Sequence, residues 1–134
     1  MTSTQVFARS GIEVRQGPRG RGVFAARPFA KGEAVEVCPT VELPGSEANG
    51  TLADYVFDSG RGDSSVVLLL GYGMLYNHSY DPNLDYEQEG TAAVAFVATR
   101  DIAPGEELTI TYGEEWWVAR GIEPVDDAAP PSRG

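Results

Sequence analysis

Gly71-Tyr-Gly-Met-Leu-Tyr-Asn-His-Ser-Tyr-Asp-Pro-Asn83 is the stretch around which the chain is organised, and it contains the only histidine. Its Gly, Asn, Asp and Pro residues favour turns because they adopt or impose backbone conformations that regular elements disfavour. The apolar run Val66-Val-Leu-Leu-Leu70 precedes it and is predicted to be a buried strand. The patterns 84–89 and 91–99 follow it and flank Gly90, which is typical of a β-hairpin. We therefore expect an irregular polar segment held between strands.

The rest of the chain also consists of short strand patterns. Ala34–Val41 is predicted to be one strand, followed by a loop from Glu42 to Asn49. Glu107–Tyr112 alternates so that every second side chain shares a face. Glu114–Arg120 is predicted to form one or two helical turns, with acidic residues at its start. About eight short strands separated by Gly- and Pro-rich turns predict a mainly β fold.

Length and composition point to one globular domain. A chain of 134 residues with 42% hydrophobic and 22% charged residues is of ordinary single-domain size. We expect one domain over residues 1–134, with its core at about 5–120 and a disordered Pro- and Ala-rich tail at 124–134. No apolar run is long enough to span a membrane, and the N-terminus lacks a secretory signal pattern. The expected location is cytoplasmic, or nuclear and chromatin-associated in a eukaryotic host.

The charge and the single cysteine exclude several classes of protein. Twenty acidic residues against ten basic residues, a net charge of −10, argue against direct nucleic-acid binding and favour a basic partner. The same charge can also serve solubility alone. Cys38 is the sole cysteine, which excludes an internal disulfide and a multi-thiolate zinc site, and it is expected to be a small buried residue.

Two polar motifs remain ambiguous when each is considered alone. Arg19-Gly-Arg-Gly22 lacks the ending of a phosphate-binding P-loop, so it is either a tight turn or a place where backbone approaches a ligand. His78 has no second His and no Cys pair for a metal site, and no serine elbow for a catalytic triad. Taken in isolation, His78 is expected to be a buried, hydrogen-bonded histidine.

The aromatic residues suggest a binding wall. Tyr112 is followed by Trp116 and Trp117, a cluster that is usually part of a core, and five further tyrosines occur along the chain: Tyr55, Tyr72, Tyr76, Tyr80 and Tyr86. Aromatic walls with hydroxyl groups at the rim suit a long aliphatic side chain with an amine tip.

Four stretches together resemble the SET domain, the family of S-adenosylmethionine-dependent protein-lysine methyltransferases. In order they are Arg19-Gly-Arg-Gly-Val-Phe24, Phe29-Ala-Lys-Gly-Glu33, Tyr76-Asn-His-Ser79 with Pro82-Asn83, and Ile102-Ala-Pro-Gly-Glu-Glu-Leu-Thr-Ile-Thr-Tyr-Gly113. The resemblance covers about residues 5–120, and the paired motifs N-H-S-x-x-P-N and G-E-E-L-T-x-x-Y-G are highly specific. The form resembled is the minimal SET domain of viral and bacterial proteins, which is associated with dimers.

The resemblance implies a fold of short strands in small sheets with a C-terminal pseudoknot that brings Asn77 and Tyr112 together. It implies that Tyr112 is catalytic. Independently of the resemblance, no metal is expected, because His78 has no second His or Cys pair near it. The implied substrate-binding residues are Tyr55, Tyr72 and Trp116. The implied residues for S-adenosylmethionine are Arg19, Gly20, Arg21, Gly22, Asn77, His78, Tyr112 and Trp117.

This sequence departs from the family pattern at two of these positions. The viral form has a tyrosine of the lysine channel where Trp116 stands, so the number of methyl groups added is open. Arg21 stands where an aromatic residue can occur. The cysteine-rich zinc segments that often flank eukaryotic members are absent from these residues.

The predicted function is methyl transfer to a lysine side chain of a basic protein, such as a histone or histone-like protein. Tyr112 is expected to orient the methyl donor and the amine, more than to act as a base with a pKa near 10. Two alternatives stay open: a catalytically weak SET-like module that binds basic peptides, and a methyltransferase that acts on a small molecule. A homodimer is compatible with the resemblance.

Overall fold

A computed structural model describes residues 5–9 and 11–112 of the chain, and this part is mainly β as predicted. Its strands are β1 Gln5–Arg9, β2 Ile12–Gly17, β3 Gly20–Ala25, β4 Ala34–Pro44, β5 Phe57–Asp58, β6 Ser65–Leu69, β7 Asn77–His78, β8 Leu84–Glu89, β9 Ala93–Ala98 and β10 Glu107–Ile110. Short 3-10 turns lie at Gly45–Glu47, Gly50–Asp54 and Gly73–Leu75.

The strands form two five-stranded sheets, in the orders β1-β2-β3-β10-β7 and β5-β6-β4-β9-β8. The second sheet is antiparallel throughout, and the predicted hairpin across Gly90 is its β8–β9 pair. In the first sheet, β10 pairs antiparallel with β3 and parallel with β7. The late strand β10 therefore lies between the N-terminal hairpin and the segment that contains the histidine.

Alternation along the strands builds one core between the sheets. In β9, Val94, Phe96 and Ala98 are buried, while the residues between them are partly exposed. Cys38 is fully buried in β4, as predicted. Side chains of both sheets belong to the same apolar cluster, which burial removes from water and thereby stabilises.

Several boundaries differ from those predicted, among them the end of β10, which lies at Ile110 and not at Tyr112. Gly20–Gly22 belongs to β3, and only Pro18 and Arg19 form the turn, because Gly17 pairs with Gly20. β4 continues to Pro44, because residues 41–44 are still paired with residues of β6.

Leu70 was predicted to lie in a buried strand but follows β6 and is 48% exposed. Gly71, with a φ of 94°, turns the chain there, and this conformation suits a residue without a side chain.

Several predictions fall on residues outside the described part. They are the helical turns at Glu114–Arg120, the tail at 124–134 and the predicted end of the core at about residue 120, and these stay predictions. Within the described residues, the structure contains no helix with the length and apolar character that a membrane crossing requires.

Candidate active site

The site is organised where β7 and β10 run side by side. Thr109 pairs with Asn77 and Ile110 with His78 in a parallel ladder, and the Ser79 N–H donates to the Ile110 carbonyl at 2.9 Å. Asn83 stabilises this arrangement: its amide oxygen accepts from Thr109 N–H and its amide nitrogen donates to the Glu107 carbonyl, both at 2.9 Å. The N-H-S-x-x-P-N motif therefore holds β10 in place.

Tyr112 is attached to the histidine segment at both its backbone and its side chain. Its N–H donates to His78 Nδ1 at 3.1 Å, and its hydroxyl donates to the Tyr76 carbonyl at 2.9 Å. A ring nitrogen that accepts carries no hydrogen, so neutral His78 has its hydrogen on Nε2. The predicted proximity of the Asn77 segment and Tyr112 is confirmed, and His78 supports Tyr112 through its ring nitrogen.

A cleft of about 310 Å³ opens beside Tyr112. Its aromatic wall includes Tyr55, Phe57 and Tyr86, with Met74 and Ile110 as further apolar contacts. Phe57 and Tyr86 pack edge to face with their ring centroids 5.2 Å apart. Asp54 and Asp58 are also among the residues that line the cleft. A passage lined by both aromatic rings and acidic residues suits a side chain that has a long aliphatic part and a cationic end.

The predicted substrate-binding residues occupy different places. Tyr55 lines the cleft, whereas Tyr72 is not among the described residues that line it. The backbone N–H of Tyr72 donates to Glu36 at 2.9 Å, and its side chain packs against the core. Trp116 lies outside the described residues.

Sequence reasoning named Tyr86 among the tyrosines of a binding wall but did not select it as a substrate-binding residue, and it lines the cleft. It lies on β8, three positions after Asn83, so its strand position relative to the P-N motif was the available signal. Burial raises the pKa of the Tyr86 phenol, and the charge of Asp85 acts in the same direction. The hydroxyl therefore ionises at a higher pH than that of a free tyrosine.

A polar cluster, the Asn77 cluster, follows Tyr76 of the cleft directly in the chain and consists of Asn77, Glu107, Arg19 and the Arg21 carbonyl. Asn77 Nδ2 donates to Glu107 at 2.8 Å and to the Arg21 carbonyl at 2.9 Å, and Arg19 donates to Glu107 at 2.9 Å. An added Cβ on Gly22 would overlap the Glu107 carboxylate and lie 2.8 Å from Asn77 Nδ2. Glu107, which sequence reasoning had not selected, thus joins the predicted cofactor residues Arg19 and Asn77 and lies against Gly22, while Arg21 joins the cluster through the bond from Asn77 to its carbonyl.

Glu36 and Tyr76 form a second polar contact beneath the cleft. The Tyr76 hydroxyl donates to Glu36 at 2.7 Å, and both residues are buried. The carboxylate also accepts from Tyr72 N–H, so it holds both ends of the 3-10 turn Gly73–Leu75. This contact fixes the residue whose carbonyl accepts the Tyr112 hydroxyl.

Within residues 11–112, no group of three or more His, Cys, Asp or Glu side chains is arranged to hold a metal ion. Trp117, predicted to pack near the cofactor, lies outside the described residues.

Comparison with known proteins identifies the family. The family model of the SET domain matches residues 20–113. The H3 lysine-37 specific histone-lysine N-methyltransferase of Schizosaccharomyces pombe is 30% identical over 116 residues, which are 81% of this chain and 78% of the relative. The histone-lysine N-methyltransferase SET9 of Chaetomium globosum is 27% identical over 131 residues, and there the match covers 83% of this chain but 18% of the relative.

Solved structures agree with this assignment. A Plasmodium falciparum protein assigned as a histone methyltransferase superposes with a TM-score of 0.68 at 32% identity, over 82% of this chain and 99% of the other. A chain of a humanized Chaetomium thermophilum Polycomb Repressive Complex 2 superposes with a TM-score of 0.65 at 22% identity, over 80% of this chain and 15% of the other, and supports the fold alone. The chain belongs to the SET domain family and is a protein-lysine methyltransferase.

Proposed function

We propose that this methyltransferase uses S-adenosylmethionine to methylate a lysine of a histone or another basic protein. The observation that carries the proposal is the position of Tyr112. It lines the aromatic cleft and also bonds to the peptide that joins the cleft to the Asn77 cluster. Substrate amine and methyl donor can therefore meet at one hydroxyl group.

The polar cluster fits the methionine end of the proposed cofactor. Both hydrogens of the Asn77 amide are donated within the protein, so the group left to a ligand is the acceptor Oδ1, which suits an ammonium group. Beside it, a side chain on Gly20 would meet nothing within 4 Å, which leaves backbone of β3 open to close approach. We propose the full set as Arg19, Gly20, Arg21, Gly22, Asn77, His78, Tyr112 and Trp117.

The cleft is proposed to receive the lysine side chain. Free lysine has a pKa near 10.4, so about one in a thousand is neutral at pH 7 and able to attack. The aromatic wall of Tyr55, Phe57 and Tyr86 would desolvate the ammonium group and lower its pKa. Trp116 is also proposed to bind the substrate. Tyr72, which is not among the described residues that line the cleft, is proposed to bind the substrate from outside this lining.

Tyr112 is proposed to orient the reacting groups. Its hydroxyl hydrogen is directed to the Tyr76 carbonyl, so toward the cleft the oxygen acts as an acceptor and not as a proton donor. When bound, the cofactor supplies a methyl group on a positively charged sulfonium. Alignment of an amine against such a group can supply several kcal/mol of catalysis.

The proposed partners and location follow from the relatives and the charge. The relatives' names specify histone-lysine methylation, which supports the proposal of action on chromatin in a eukaryotic host. In another host, the proposed location is cytoplasmic. A net charge of −10 favours contact with a basic protein and not directly with nucleic acid. The homodimer that the minimal form suggests is a further proposal.

The direct test is incubation with methyl-labelled S-adenosylmethionine and a panel of basic proteins that includes core histones. We expect label on lysine side chains, located by mass spectrometry. Peptide binding without label would favour the non-catalytic binding module, and label confined to low-molecular-weight products would favour a small-molecule methyltransferase.

A further inference from the structure

We propose that Glu107 is a positioning residue of the cofactor site, which acts by fixing the side-chain amide of Asn77. The inference rests on the proposed binding of S-adenosylmethionine. Glu107 is the second glutamate of the G-E-E-L motif and begins β10, two residues before Thr109, which pairs with Asn77 in the parallel ladder.

The carboxylate of Glu107 is almost completely enclosed. Its side chain is 6% exposed, and its two oxygens accept from different partners: Oε1 from Arg19 at 2.9 Å and Oε2 from Asn77 Nδ2 at 2.8 Å. The positively charged Arg19 side chain, which is 16% exposed, lies 2.9 Å from this carboxylate and compensates its buried negative charge. A buried carboxylate in this setting has a defined orientation.

The orientation of the Asn77 amide follows from its two acceptors. Rotation of the amide by half a turn would place Oδ1 against the Glu107 carboxylate and the Arg21 carbonyl, where three acceptors would meet without a hydrogen. Such an arrangement is costly in a buried site. Asn77 therefore offers a ligand an acceptor, and this selects for the ammonium group of the cofactor over its carboxylate.

A glutamate meets this requirement better than its amide. Glutamine would have to direct its NH2 group at either Arg19 or Asn77, both of which are donors in the cluster. Gly22 completes the arrangement, because any side chain there would displace both Glu107 and Asn77. Glu107 and Gly22 thus act together: the carboxylate orients the Asn77 amide, and the missing side chain leaves the space that the carboxylate occupies.

The test is a double-mutant cycle with Glu107→Gln and Asn77→Ala, measured as the dissociation constants of S-adenosylmethionine and S-adenosylhomocysteine by calorimetry. We expect Glu107→Gln to weaken both about tenfold, because the preferred amide orientation is lost. At saturating cofactor, kcat and the KM of the protein substrate should be unchanged. In the Asn77→Ala background the effect of Glu107→Gln on cofactor affinity should disappear.

Two controls keep the cycle interpretable. Glu33→Gln removes the carboxylate of the exposed Arg27–Glu33 pair, where the N–O distance is 2.7 Å, and should leave cofactor affinity unchanged. Should Glu107→Gln fail to fold, Glu107→Asp keeps the charge and enters the same cycle, with a weakening that again vanishes in the Asn77→Ala background.

The outcomes separate this inference from the proposed function. An equal loss of affinity from Glu107→Gln in both backgrounds would overturn the inference, as would a loss of kcat with cofactor affinity retained. Absence of S-adenosylmethionine binding by the wild-type protein would instead overturn the proposed function itself. Binding that Asn77→Ala weakens but Glu107→Gln does not would overturn the inference alone.

Discussion

The two sides of the Tyr76–Asn77 peptide have opposite chemistry. On one side lies the cleft, with aromatic walls from Tyr55, Phe57 and Tyr86. On the other side, the Asn77 amide, Glu107 and Arg19 form a dense hydrogen-bonded cluster. The aromatic wall of the cleft suits the removal of water from the aliphatic part of a lysine, whereas the polar side suits the recognition of a charged ligand by fixed donors and acceptors.

The peptide between them is fixed from several directions. The Tyr76 side chain is bonded to buried Glu36, its carbonyl accepts from Tyr112, and the Asn77 amide is bonded to Glu107. Two regions with separate tasks therefore share one rigid boundary. The comparison teaches that changes on the two sides should affect different kinetic constants.

The largest effect is expected at the boundary itself, from Tyr112→Phe. The change removes the hydroxyl that aligns amine and methyl donor, so single-turnover methyl transfer should fall about 100-fold or more. Cofactor binding, measured by calorimetry, should be largely retained. Turnover equal to that of the wild type would refute the assignment of Tyr112.

On the polar side, Asn77→Ala should raise the dissociation constant of S-adenosylmethionine about tenfold or more, since a hydrogen bond to a charged group contributes about 1.5–3 kcal/mol. Calorimetry measures this change. Asn49→Ala, at an exposed position, is the matched control and should bind the cofactor normally. Wild-type affinity of the Asn77 variant would exclude its role.

Beneath the cleft, Glu36→Gln should lower the free energy of unfolding by about 1–3 kcal/mol, because the amide retains one acceptor where the carboxylate serves both Tyr76 and Tyr72. Urea unfolding measures this loss. Tyr76→Phe should reproduce part of it. If Glu36→Gln is as stable as the wild type, the contact does not support the boundary as argued.

The smallest effect is expected from Tyr86→Phe, which keeps the ring packed on Phe57 and removes one hydroxyl from the cleft wall. The rate of the first methyl transfer should change only a few-fold, while the proportion of higher methylated lysine rises because the cleft gains room. Intact-mass measurement of a substrate peptide reports both. Burial raises the pKa of Tyr86, so the phenol is neutral below about pH 10 and the pH profiles of variant and wild type should coincide from pH 7 to 9. Identical methylation states would show that the hydroxyl does not limit product.

Much of the fold was predictable because it depends on local patterns. Alternation in 93–98 and a glycine at 90 specify the β8–β9 hairpin without information from distant residues. The limits of β3 and β4 were harder to predict, since Gly20–Gly22 and Pro44 read as turn residues until their pairing partners are known. Propensity is overruled there by hydrogen bonds to a neighbouring strand.

The candidate site divides in the same way. Its motifs are legible in sequence, and the resemblance they carry pointed to Asn77 and Tyr112. Tyr86 and Glu107 were not selected as site residues, because on a strand pattern each resembles an ordinary partly exposed side chain. Their roles depend on the residues that they contact in the folded protein, and the alternation of apolar and polar residues along a strand does not encode those contacts.

The sequence by itself determined the mainly β character, the buried Cys38 and the identity of the motifs, because these depend on residue type and short-range spacing. Only the tertiary structure decided that β7 and β10 run parallel, with Asn77 bonded to Glu107 and Tyr112 bonded to Tyr76. Parallel neighbours need a long connection between them, so their register is fixed by contacts far apart in the chain. A catalytic centre built on such a pair is specified by the complete fold.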